Sequence, residues 1–151
     1  MSTYDINSIP RILLTIATIG YSIVPMFADF NKTHATNPLW TPHARYHVVW
    51  QVLSYFGIGL IAQAMLWQDL GDYVKQLNLV LGLSVAVFGA FFATYVAMPL
   101  FGGKAHDVNG YLPIKAKLGP INLSIDLNVT VFGAFVIILA IGAALIRTEA
   151  V

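Results

Sequence analysis

The sequence predicts an all-α integral membrane protein, one domain over residues 1–151 built as a four-helix bundle. Three observations predict it. Hydrophobic residues make up 58% of the chain and charged residues 10%, against about 25% charged in a water-soluble domain. So little charge cannot cover a water-facing surface. Four stretches stay apolar for about 20 residues, enough to cross a hydrocarbon core roughly 30 Å thick. The densest polar stretch falls in a connection between two of them.

The first span covers about residues 9–30. Ser8 suits its N-cap and Pro10 its first turn. The apolar run is too long for a cleavable signal, and no clear A-x-A site follows, so it reads as a retained helix. The second span covers about 44–67, with Pro42 suited to a helical first turn just before it. A short polar turn, Gln68-Asp69-Leu70-Gly71-Asp72, leads to the third, about 77–101. The fourth covers about 125–146. Residues 102–124 hold several Gly and Pro. The alternation from Tyr111 to Leu118, broken by Gly119-Pro120, predicts a short hairpin or an interfacial loop.

Four spans place both long connections on one side and both termini with the short turn on the other. Trp40, Trp50, Trp67, Tyr73, Phe101 and Tyr111 fit interfacial belts. Lys32, Arg45, Lys104, Lys115 and Lys117 fall on the long-loop side, against Arg11, Lys75 and Arg147 opposite, so the positive-inside rule favours cytoplasmic long loops. Gly57, Gly59, Gly82, Gly89, Gly133 and Gly142 allow close helix packing in lipid. The expected partners are the lipid bilayer, a lipophilic small molecule and, for a polar path through the membrane, further copies in a homo-oligomer. The net charge of +1 and the lack of a basic run speak against nucleic acid. With no cysteine, disulfides, thiolate metal sites and thiol nucleophiles are excluded.

Three of the four histidines lie between Asp29 and Gln51. His43 and His47 are spaced i, i+4 and share one helical face, continued by Gln51 and Ser54. The first span carries a stripe of Arg11, Thr15, Thr18, Ser22 and Asp29. The fourth opens with Asp126, Asn128 and Thr130, and the third offers Thr94 and Tyr95. Polar groups in a spanning helix face the bundle rather than lipid, so these are expected to line one cavity open toward the long loops.

Three readings compete there. His43 and His47 could chelate a divalent metal (zinc, iron or copper), completed by His34, His106, Asp29 or Asp126, though the intervening glutamate of zinc hydrolases is missing. Histidine could instead work as acid and base, oriented by Asp29 beside Arg45. Or the residues cap helices and hold headgroups, with Trp40 an anchor and Asn37-Pro38 a turn. Arg45 lies on a different face from the two histidines, where it could pair with Asp29, hold an anionic group or snorkel. His106-Asp107 follows Gly102-Gly103, and a mobile loop there could bring His106 to the cavity.

The run Asp29, Asn31, Thr33, His34, Asn37, Pro38, Trp40, Pro42, His43, Ala44, Arg45, His47 resembles the T-H-x-x-N-P-x-W-x-P-H-A-R-x-H signature of a family of small, functionally uncharacterised membrane proteins. The resemblance is dense over this segment and implies that these residues act as a unit. In size and span number the chain is similar to DoxX-like proteins and other small four-span membrane proteins. The Glu-Arg and Asn-x-x-Glu pattern of the glutathione-dependent membrane enzymes is absent.

These readings favour a membrane enzyme acting on a lipophilic substrate, by proton transfer (isomerisation or cyclisation) or metal-assisted oxidation. His43, His47 and His34 would be acid–base groups or ligands, Asp29 the orienting carboxylate and Arg45 an anchor. Asn37, Trp40, Gln51, Tyr95, Asp126 and Asn128 would shape the substrate site. A non-catalytic subunit binding lipid or a partner, and a small transporter, are the alternatives.

Overall fold

A computed structural model describes residues 8–149. The elements are α1 (Ile9–Ser22), α2 (Val24–Asp29), α3 (Pro42–Trp67), α4 (Tyr73–Phe101), β1 (Ile114–Leu118), β2 (Ile121–Ile125) and α5 (Leu127–Glu149). The fold is an all-α four-helix bundle. Its four spans, α1 with α2, α3, α4 and α5, are each long and apolar enough to cross a membrane.

The first span is two helices rather than one. Pro25 has no N–H to continue the ladder, so the helix breaks at Ile23 and α2 starts afresh. Ser8 caps α1 by accepting from the Arg11 N–H at 3.4 Å and shares a hydrogen bond with the Tyr73 hydroxyl. Thr41 caps α3, accepting from the Ala44 N–H at 3.2 Å, with Pro42 in the first turn.

The short turn is organised from both sides. Asp72 caps α4 by accepting from the Lys75 N–H at 3.0 Å. This cap starts α4 at Tyr73, four residues before the expected boundary. The Gln76 amide then reaches back to the carbonyls of Met65 and Gln68, both at 2.8 Å. It thereby satisfies orphan acceptors at the end of α3.

α4 ends at Gly102, whose φ of 67° is the left-handed C-cap conformation. The alternation after Tyr111 becomes an antiparallel hairpin, β1 with β2. Gly119, at φ 60°, supplies the positive φ that the first central position of a two-residue mirror-image turn requires. Because β2 runs through Ile125, the fourth span starts at Leu127 and not at 125. Asp126 caps it, accepting from the N–H of Asn128 at 2.9 Å and of Val129 at 3.2 Å.

α1 sits nearest the axis, packed on α3, α5 and, more narrowly, α4. Its buried face of Leu14, Ala17 and Tyr21 meets Ala62, Leu66, Leu77, Phe88 and Leu139. Glycine sets the spacing: a Cβ on Gly20 would strike the Phe135 ring, one on Gly59 would strike Ser22, and one on Gly142 would lie 2.8 Å from Leu14 Cδ1. Gly57, Gly82, Gly89 and Gly133 have open space instead. The outer faces keep large apolar side chains exposed, among them Val96, Leu100 and Ile137, a surface compatible with lipid.

Candidate functional site

The polar stripe expected along the first span divides into two sites. Its N-terminal part lies within the bundle, away from the long loops. The Thr18 hydroxyl donates to the Thr15 carbonyl at 2.9 Å and accepts from the Gln63 amide. The Trp67 indole donates to Thr15 Oγ1 at 3.2 Å and Gln63 Oε1 at 3.1 Å. Ser22 donates to the Thr18 carbonyl at 2.7 Å. Arg11 is buried with its guanidinium carbon 4.7 Å from the Tyr73 ring centroid, cation–π range. These groups hold helices together and do not line the long-loop cavity.

The other part opens at the long-loop end. A cavity of about 570 Å³ lies between α2, α3, α4 and α5 there. Its apolar walls are Val24 and Pro25 from α2, Val48 from α3, Phe91 from α4 and Leu127, Val131 and Phe132 from α5. Asp29, His34, Trp40, His47, Gln51, Tyr111 and Asn128 supply its polar atoms. A second cavity of about 280 Å³, between α3 and α4, shares Gln51, Phe91 and Phe132 with the first. Phe91 and Phe132 stack at 4.3 Å between centroids.

The turn after α2 fixes His34. The Asn31 amide N–H groups donate to the carbonyls of Phe27 at 3.2 Å and Ala28 at 2.8 Å. This sets the amide orientation, so Oδ1 faces Thr33 and accepts from its N–H at 2.8 Å and from its hydroxyl at 2.6 Å. The hydroxyl has then used its one proton. His34 Nδ1, 2.8 Å from Thr33 Oγ1, must be the donor in that contact. Neutral His34 therefore carries its proton on Nδ1 and keeps Nε2 as the lone-pair nitrogen. Asp29 Oδ1 lies 3.6 Å from the same Nδ1. The Trp40 ring meets the imidazole edge-on at 5.3 Å.

Two contacts clasp the long connections together. Asn37, fully buried, exchanges amide hydrogen bonds with Asn109 at 3.0 and 2.9 Å. It also donates to the Thr33 carbonyl at 2.8 Å and accepts from the Leu39 N–H at 3.0 Å. The Trp40 indole donates to Asp107 Oδ2 at 2.7 Å. This hydrogen bond to the charged form holds the Asp107 carboxyl below its usual range.

The remaining expected residues fall around this centre. His43 is exposed and off the cavity wall, its Nε2 3.0 Å from that of His47. Arg45 forms no ion pair with Asp29, which lies beside His34 instead. Tyr95 lines the second cavity. Asp126 spends one oxygen on capping α5 and places the other 3.3 Å from His106 Nδ1. Asn128 donates to the Ala105 carbonyl at 2.9 Å. The four histidines thus stand apart in three places, His34 beside Asp29, His43 beside His47 and His106 beside Asp126. Among the described residues no three His, Cys, Asp or Glu side chains converge as a metal site would require.

Sequence reasoning gave no site role to Asn31 and Thr33, although both stand in the run that carries the resemblance, and it missed Asn109, Phe91 and Phe132. The Asx geometry of Asn31-x-Thr33 was the available signal for the first two. Nothing local marks Asn109, 72 residues from its partner. Comparison with protein-family models, with curated proteins and with solved structures finds no match.

Proposed function

We propose that the protein is an integral membrane enzyme that moves a proton within a lipophilic small molecule, as an isomerase or cyclase does. The observation that carries this reading is His34. It is held at the wall of a largely apolar cavity with Nδ1 engaged and Nε2 left to act as a base. A cavity of this size and lining suits a small lipophilic ligand with one polar end. The second cavity gives an elongated substrate room beyond Phe91 and Phe132.

In this reading His34 Nε2 takes a proton from a carbon activated by a neighbouring carbonyl or alkene. Asp29 stabilises the imidazolium that results. Gln51 and Asn128 meet charge developing on the substrate's polar end. The proton returns at a different carbon from His34 or His47, so no electrons leave the substrate. Proton transfer is favoured over metal-assisted oxidation because, among the described residues, no three His, Cys, Asp or Glu side chains converge.

Solvent deuterium tests it without knowledge of the substrate. Purified protein is incubated with a membrane lipid extract in D2O, and the lipids are surveyed by mass spectrometry. A defined lipophile should gain carbon-bound deuterium with wild type. His34→Ala should slow this by about 10²–10⁴-fold, the usual contribution of a general base. His47→Ala should reduce the rate and His43→Ala should reduce it least. A lipid that binds the cavity but never exchanges would point to a non-catalytic lipid-binding protein and sink the enzyme reading.

A further inference from the structure

The hairpin is explained by neither the bundle nor the cavity. All ten of its strand residues are exposed. Its register pairs Ile114 with Ile125, Lys115 with Ser124, Ala116 with Leu123, Lys117 with Asn122 and Leu118 with Ile121. Opposed residues of an antiparallel pair share a face, and successive residues alternate. Every Ile, Leu and Ala of the strands therefore lies on one face. Both lysines lie on the other, with Asn122 and Ser124.

A lone two-stranded hairpin with six apolar side chains in water is marginal at best, so something covers that face. Two observations identify the cover. Only Asp126 separates β2 from α5, a helix long and apolar enough to span a membrane. The hairpin is therefore tethered where that span ends. Each strand is about 17 Å long at ~3.4 Å per residue, whereas the polar layer of one leaflet is roughly 5–8 Å deep. Upright, the hairpin would carry its apolar face through the headgroups into water. Lying flat, it sets that face on the acyl boundary, beside the end of the span to which it is tethered. Its lysines then turn outward among the phosphates.

We propose that the hairpin is an interfacial anchor. Its apolar face rests on the acyl chains of the long-loop leaflet, and Lys115 and Lys117 hold the headgroups of anionic phospholipids. Opposite charge beside buried apolar area is the combination by which amphipathic segments bind such surfaces. This stands independently of any catalytic role.

The absence of cysteine makes single-site labelling clean. Leu123→Cys and Asn122→Cys, each carrying a nitroxide, are reconstituted as full chains in vesicles of phosphatidylcholine with phosphatidylglycerol. Collision with lipid-soluble oxygen and with a water-soluble nickel chelate is then measured. The label at 123 should be severalfold more shielded from nickel, and more open to oxygen, than the label at 122. Pure phosphatidylcholine, or Lys115→Gln with Lys117→Gln, should make the label at 123 more accessible to nickel. Equal nickel access on both faces would overturn the anchor. Equal shielding in the two lipid mixtures would overturn the anionic-headgroup assignment. Spin–spin broadening at 123 that disappears on dilution with unlabelled protein would give the face to a second copy instead.

Discussion

Thr33 has one hydroxyl proton, and Asn31 Oδ1 receives it. That local fact decides which nitrogen of His34 is basic, because the Asn31 amide is itself fixed by two helix carbonyls. Nitrogen-15 NMR of labelled histidine should therefore find His34 as the Nδ1-protonated tautomer when neutral. Thr33→Val removes the acceptor, worth about 0.5–1.5 kcal/mol for one net hydrogen bond, and should move the tautomer ratio by up to about tenfold toward Nε2–H. An unchanged ratio in Thr33→Val would show that Asp29 alone holds the ring. The sequence displayed Asn31, Thr33 and His34 side by side, but hydroxyl direction depends on where the α2 carbonyls end, and no spacing rule reports that.

Among the elements, α1 owes its central position to three close approaches: Gly20 beneath Phe135, Gly59 on Ser22 and Gly142 on Leu14. Gly59→Ala and Gly142→Ala should each destabilise by about 1–3 kcal/mol, the usual cost of overpacking, and lower the unfolding temperature in detergent. Gly57→Ala sits in open space on the same helix as Gly59 and should be neutral or stabilising by up to about 1 kcal/mol. Equal losses for Gly57→Ala and Gly59→Ala would contradict this packing. The sequence could identify small residues suited to close approach but could not separate Gly59 from Gly57. Two residues apart on a helix means about 200° of rotation at 3.6 residues per turn, and which side faces α1 is a tertiary matter.

For the molecule as a whole, the clasp ties the two long connections together at the end of the bundle that holds the cavity. Trp40 and Asp107 form its ionisable half. The Asp107 carboxyl is held below its usual range in the folded state, so the unfolded chain takes up that proton first. The contribution is complete above the ordinary carboxylate value of about 3.9 and is lost as pH falls through the lower folded-state value. Nitroxides at Leu39→Cys and Val108→Cys, both exposed positions, should give a narrow distance distribution at neutral pH that broadens on acidification through this window. Asp107→Asn should remove that pH dependence. The same acid broadening in Asp107→Asn would assign the opening to another group.

The number of spans, their order and the side on which the long connections meet were all determined by the sequence. Hydropathy over about 20 residues is a local property, and parity follows from counting. The hairpin was legible for the same reason, since alternation and Gly119-Pro120 are local. Only the tertiary structure decided which polar residues share a site. It sent Arg11, Thr15 and Thr18 into helix packing, gave Asp29 to His34 and not to Arg45, left His43 outside the cavity and joined Asn37 to Asn109. Those outcomes depend on helix rotation and on contacts across tens of residues, where side-chain direction is set by packing and not by the neighbours along the chain.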